Sequence, residues 1–99
     1  MNDVVVRDVA ADHRYEAWVD GDLAGFLTYE VDGGAVTLVH TQVDPALEGK
    51  GVGSALARQA LDHIRGSGRR VVPVCPFVKA WIERHPDYAD LVLGGGRTT

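Results

Sequence analysis

Between Val39 and Leu56 the chain reads VHTQVDPALEGKGVGSAL, an apolar run that empties into a glycine-rich loop and then into a helical pattern. Gly49, Gly51 and Gly53 alternate there with Lys50, Val52 and Ser54, and a helix that opens this way leaves a cluster of backbone N–H groups without partners. Such a cluster attracts an anion, and glycines let a phosphate approach the main chain closely. A phosphorylated cofactor is the natural guest, although the same glycines would also serve a tight turn and a close contact between helix and sheet. Two neighbours carry further chemistry. His40 stands near the end of the apolar run, and histidine exchanges a proton near neutral pH, which suits a general base. It could equally be a histidine bonded to the sheet that holds the turn. Cys75 precedes Pro76, so it falls where a strand meets a helix N-terminus, a setting that in general favours the thiolate. A nucleophile and an inert core cysteine are both open to it.

The elements that must position these residues follow from periodicity. Val4–Val9, Arg14–Val19, Leu23–Val31 and Ala35–Val43 read as consecutive antiparallel strands, with turns at Asp20-Gly21 and Asp32-Gly33-Gly34. Strict alternation along the fourth strand puts Val36, Leu38, His40 and Gln42 on one face, and Thr37, Val39, Thr41 and Val43 on the other. Apolar residues at three- and four-residue intervals from Val52 to Ile64 predict a helix, stopped by Gly66-Ser67-Gly68. Val71–Cys75 reads as a fifth strand, with Pro73 marking an edge or an interrupted ladder, and a second helix runs from Phe77 to His85 before Pro86. A strand, a helix and a strand in succession make the fourth and fifth strands parallel. The expectation is an α/β (α+β) fold in one domain over residues 1–93, mostly antiparallel, with residues 94–99 a disordered tail.

Composition narrows the functions available. The 99 residues are 45% hydrophobic and 24% charged, as in an ordinary globular domain. No apolar run nears the ~20 residues of a membrane span, and Met1–Arg7 does not resemble a secretory signal, so a cytoplasmic protein with no membrane role is expected. A net charge of −4 with no basic stripe argues against nucleic acid as a partner. One cysteine and four scattered histidines give neither a disulfide nor the spacing of a zinc site, so no metal is expected.

Three phosphate-binding patterns compete for the loop. It lacks the Gly-Lys-Ser/Thr ending of a P-loop, and the chain is too short for a dinucleotide fold. Coenzyme A remains. The residues Glu48-Gly49-Lys50-Gly51-Val52-Gly53 resemble the Gln/Arg-x-x-Gly-x-Gly/Ala signature of the GNAT superfamily of acetyl-CoA-dependent N-acetyltransferases. Gly51 and Gly53 match its small positions and Lys50 a frequently basic one, while Glu48 stands where the signature has Gln or Arg. With His40, Thr41 and Val43 before the loop and Cys75 after the fifth strand, the chain is similar to the short GNAT-related proteins of about this length.

The resemblance implies that the amides of Gly49, Lys50, Gly51, Val52, Gly53 and Ser54 hold the pyrophosphate of acetyl-CoA. It also implies that main-chain groups near Gln42 and Val43 pair with the pantetheine arm. His40 and Cys75 are the catalytic candidates for acetyl transfer to an amine, small or protein-borne, in a GNAT-like acyl-CoA N-acyltransferase fold. Cys75 would either carry the acetyl group or touch the sulfur end of the cofactor. Where larger relatives have an acidic tyrosine the register gives Trp81, which cannot donate that proton. Phe77 and Trp81 read as core or rim aromatics, and Lys79, Arg70 and Arg84 as a solvated face or contacts to a terminal phosphate. The alternative reading is a coenzyme A-binding module without catalysis.

Overall fold

A computed structural model describes residues 3–93; Met1, Asn2 and the tail expected at Gly94–Thr99 lie outside the described residues. Four strands, β1 (Val4–Val9), β2 (Arg14–Val19), β3 (Asp22–Asp32) and β4 (Ala35–Val43), form an antiparallel meander. Helix α1 (Val52–Gly66) then crosses to β5 (Arg70–Pro73), which pairs parallel to β4, and α2 (Pro76–Arg84) follows directly. The sheet order is β1-β2-β3-β4-β5, as alternation and turn chemistry imply. Short 3-10 turns at Ala10–Asp12, Pro45–Leu47 and Pro86–Leu91 were not legible from periodicity.

One face of the sheet carries the core. From α1 the stripe Val52, Leu56, Ala57, Ala60, Leu61 and Ile64 is buried, and it meets Leu27, Leu38 and Val71 of the sheet and Val78 and Trp81 of α2. Each large side chain withdrawn from water contributes roughly 1.5–3 kcal/mol. The helices dock only because the stripe recurs at the helical period. The other face is open, with Val5, Trp18 and Phe26 interspersed among polar side chains: Glu16 is nearly buried there, paired with Arg14 at 2.7 Å and accepting from Trp18 Nε1 at 3.2 Å. A buried carboxylate persists because those donors satisfy it.

At the β1 end of the core, polar groups are tied together. The Tyr15 hydroxyl lies 2.9 Å from His63 Nδ1, and the Tyr29 hydroxyl donates to Asp8. Burial, reinforced by the hydrogen bond to Asp8, pushes the Tyr29 phenol up to about 12, and burial followed by the Asp8 charge raises Tyr15 further. Both phenols hold their protons more tightly folded than unfolded, where they ionise near pH 10.0. Their contribution is therefore complete below pH 10.0 and drains away as the pH climbs toward about 12. Thermal melts recorded from pH 8 upward should show the melting temperature falling above about pH 10, with a shallower fall in Tyr29→Phe. An identical alkaline slope in the variant would contradict the assignment.

Candidate functional site

The site begins where β4 and β5 part. Their ladder runs from Ala35↔Arg70 to Leu38↔Pro73 and stops. Proline cannot donate to a ladder, and the next two amides, of Val74 and Cys75, both donate to the Leu38 carbonyl, at 3.0 and 2.9 Å. The chain then enters α2 with Pro76 in its first turn, while β4 continues to Val43. A slot is left between the outer half of β4 and α2.

A β-bulge decides what faces that slot. Thr28 pairs with His40 and Tyr29 with Leu38, so Val39 is an extra residue on β4. Beyond a bulge the alternation of side chains shifts. Val36 and Leu38 are buried as alternation requires, but Thr41 and Val43 line the cleft, while His40 and Gln42 are exposed. The strict parity read from the sequence is thus corrected beyond Leu38. His40 lies on the open face of the sheet, its ring centroid 6.4 Å from that of Phe26. The backbone alternates as well: Asp44 N–H donates to Ala24 of β3 at 2.8 Å. Main-chain groups of Gln42 therefore address β3, and those of Thr41 and Val43 address the slot.

The far wall is the loop and the start of α1. Asp44 caps the Pro45–Leu47 turn through a 3.0 Å bond from Ala46 N–H. Gly51 is the residue before α1, at φ 85°, a left-handed conformation that favours glycine, and no side chain caps the helix. The Lys50 amide is used by the Leu47 carbonyl, and Ala55 is the first residue to donate along the helix, to Gly51 at 2.9 Å. The amides of Val52, Gly53 and Ser54 precede that first helical bond and are the uncapped donors of α1. Gly53 is needed for another reason: a Cβ there would sit 2.9 Å from Phe77 Cζ. At this position the glycine makes room for an aromatic ring of α2, where the sequence left open room for a phosphate or a close contact between helix and sheet.

Together these walls enclose a cleft of about 620 Å³, within the usual ~300–1,000 Å³ of ligand sites. Of the binding residues expected from sequence, Val43, Gly49, Gly51, Val52, Gly53 and Ser54 line it, and Gln42 and Lys50 do not. Of the two catalytic candidates neither lines it. Cys75 is 3% exposed, and its sulfur lies 3.2 Å from the Thr41 hydroxyl, so it reaches the cleft only through Thr41. His40 and Cys75 are therefore not brought together as a base and its nucleophile.

Sequence reasoning did not place Thr41, Leu47, Phe77, Trp81 or His85 on the cleft, and it gave Arg84 either to a solvated face or to a terminal phosphate. Trp81 Nε1 donates to Ser54 Oγ at 2.9 Å, tying α2 to the first turn of α1. The spacing of Phe77, Trp81 and Arg84 on one helical face was the available signal.

With this geometry established, the comparisons are consistent. A family model described as GCN5-related N-acetyl-transferase matches residues 14–91, and the chain belongs to that family. A GCN5-like protein of Staphylococcus aureus, solved in solution by NMR, has a similar fold. It has a TM-score of 0.70 and 23% identity over 93% of this chain and 90% of the other. No curated protein matches the chain in sequence. Among the described residues no helix is long and apolar enough to cross a membrane.

The contact between Gly53 and Phe77 is open to test. Gly53→Ala should destabilise the protein by about 1–3 kcal/mol through overpacking, read from denaturant unfolding, and Phe77→Leu should relieve most of that loss in the double variant. Additive effects of the two substitutions would show that the ring and the glycine are not coupled.

Proposed function

We propose that the protein transfers an acetyl group from acetyl-CoA to an amine acceptor, small or protein-borne. The observation that carries this reading is the continuity of the slot beyond Leu38 with the uncapped amides of Val52, Gly53 and Ser54. A groove edged by strand main chain and ending in helix-start amides suits a long amide-bearing arm with a pyrophosphate behind it. The donor set fits the cofactor: three amides are available for anionic oxygens, and the Gly51 backbone brings no side chain between them and a ligand. The Glu48 carboxylate lies on the same wall and opposes the anion, which leaves the main chain as the binding group.

When bound, the cofactor supplies an acyl group on a thiolate leaving group. Thr41 and Val43 would hold the arm through their main-chain groups, as an added strand would find them, and an N–H in the slot would be available to the acyl oxygen. His40, one residue from Thr41 but on the opposite face of β4, receives the proton of an amine arriving from the open side. Thr41 Oγ1 and Cys75 Sγ, 3.2 Å apart, share a proton that would be available to a thiolate leaving group. The lone reduced thiol suits a cytoplasmic protein.

Calorimetric titration should give saturable one-to-one binding of acetyl-CoA. Gly51→Asp should weaken it by about tenfold or more, by setting a carboxylate beside the anion; aspartate tolerates the left-handed backbone better than most residues. With amine acceptors, His40→Gln should lower turnover by about a hundredfold and leave cofactor affinity unchanged. No binding by folded wild type would contradict the cofactor reading. Binding without turnover on any amine would leave a coenzyme A-binding module that acts as a sensor or subunit.

A further inference from the structure

The two edges of the sheet are finished differently. At β5 the chain covers its own edge: Val92 bridges to Val71 in parallel, Leu93 N–H donates to the Val71 carbonyl at 2.8 Å, and Arg70 donates to the Asp90 carbonyl at 3.0 Å. At the opposite edge β1 has β2 as its one neighbour in the sheet. Every second residue of such a strand turns its N–H and C=O outward, where they pair with water or with another strand. Edges that must stay single are interrupted by proline, lysine or a bulge. β1 reads Val4-Val5-Val6-Arg7-Asp8-Val9, with neither proline nor lysine, and its register with β2 is unbroken from Val4↔Val19 to Val9↔Arg14. Its inward-facing carboxylate, Asp8, accepts from the Tyr29 hydroxyl.

We propose that β1 pairs antiparallel with β1 of a second copy about a two-fold axis at Val5, joining two five-stranded sheets into one of ten strands. Charge complementarity selects this register. Directly opposed residues of an antiparallel pair share a face, so the axis must fall on a residue. At Val5 it sets Val5 against Val5 of the second copy, Val4 against Val6, and Arg7 against Asp3, with the last two contacts made twice. An axis at Arg7 would oppose two guanidinium groups. An axis at Val6 would set Asp8 against Val4 and Arg7 against Val5. The rows that already cross β1 and β2 then continue over the axis. Trp18 pairs with Val5, and both line one shallow depression on the open face, so the apolar row becomes Trp18, Val5, Val5, Trp18. Glu16 pairs with Arg7, and Asp3 of the second copy extends that row into alternating negative, positive and negative charge. On the other face Val4 and Val6, partly buried against the core, cover each other. The contact from Asp3 to Arg7 is short, so the dimer is reversible, with a dissociation constant on the order of 10–100 μM. The cleft lies on the far side of the sheet, beyond β4, and the pairing is independent of what the cleft binds.

The test is sedimentation equilibrium of the full chain from about 1 μM to about 1 mM. Wild type should pass reversibly from monomer to dimer with no higher species, because a two-fold contact closes on itself. Val5→Lys, at a side chain 50% exposed, sets two ammonium groups across the axis and should weaken the dimer by about tenfold or more. Asp3→Arg and Arg7→Glu should each weaken it to a similar extent, since each opposes like charges twice. Mixed in equal amounts, those two variants should regain dimers, because both opposed pairs are then of opposite sign. Circular dichroism melts establish that each variant is folded. Should Arg7→Glu fail that check because of Glu16 beside it, Val5→Lys and Asp3→Arg decide alone, Asp3 lying outside the strand. A chain that stays monomeric throughout the range would overturn the proposal. So would a dimer as tight in Val5→Lys and Asp3→Arg as in wild type, or folded charge variants that do not recover on mixing.

Discussion

The Leu38 carbonyl receives the amides of both Val74 and Cys75, and with that pair of bonds the parallel ladder between β4 and β5 ends. The rest of the site depends on this termination. Pro73 cannot extend the ladder, and Pro76 is already suited to the first turn of a helix. The chain therefore leaves the sheet within three residues, while β4 runs on alone. Had β5 continued alongside β4, the main chain of Thr41 and Val43 would be consumed by a neighbouring strand and there would be no slot. A small domain with one core has few places to open such a gap, because interiors are close-packed and a void costs stability. Opening it at the end of an edge strand avoids that cost.

The bulge at Val39 acts on the same few residues. One extra residue on β4 turns Thr41 and Val43 toward the cleft and sends His40 and Gln42 to the open face. The cleft-lining residues and His40 are thereby divided between the two faces of a single strand. The helices hold the far wall at the right distance through two contacts between α1 and α2, Gly53 against Phe77 and Ser54 with Trp81. Trp81 is 1% exposed and belongs at once to the core and to the cleft, so cleft geometry and stability are coupled through it. A substitution at Trp81 cannot change one without the other.

Most of the architecture was legible because it rests on periodicity and turn chemistry. The alternation from Arg14 to Val19, the Asp20-Gly21 turn and the stripe from Val52 to Ile64 each fix one element through a single physical rule. The glycine loop likewise announced a helix start poor in side chains. What was not legible depends on register and on contacts distant in sequence. A bulge at Val39 has no residue-type signature, because a valine sits equally well in a regular strand, and so His40 was read onto the face of Leu38. The bond between Thr41 and Cys75 spans 34 residues, and the fit of Gly53 under Phe77 appears only once α2 is docked. Reading Trp81 as a core or rim aromatic was sound as far as burial goes, but not informative about the cleft it helps to build.

The most direct test of the central claim, that the parting of β4 and β5 together with the start of α1 forms the cofactor site, is to follow the backbone amide resonances of the protein while coenzyme A is added. The account predicts that the largest shifts fall on Thr41, Val43 and Gly51 to Ser54, with smaller ones on Trp81 and its neighbours in α2. Shifts concentrated instead on the open face around Arg14, Phe26 and His40, or a spectrum unchanged at saturating ligand, would contradict it.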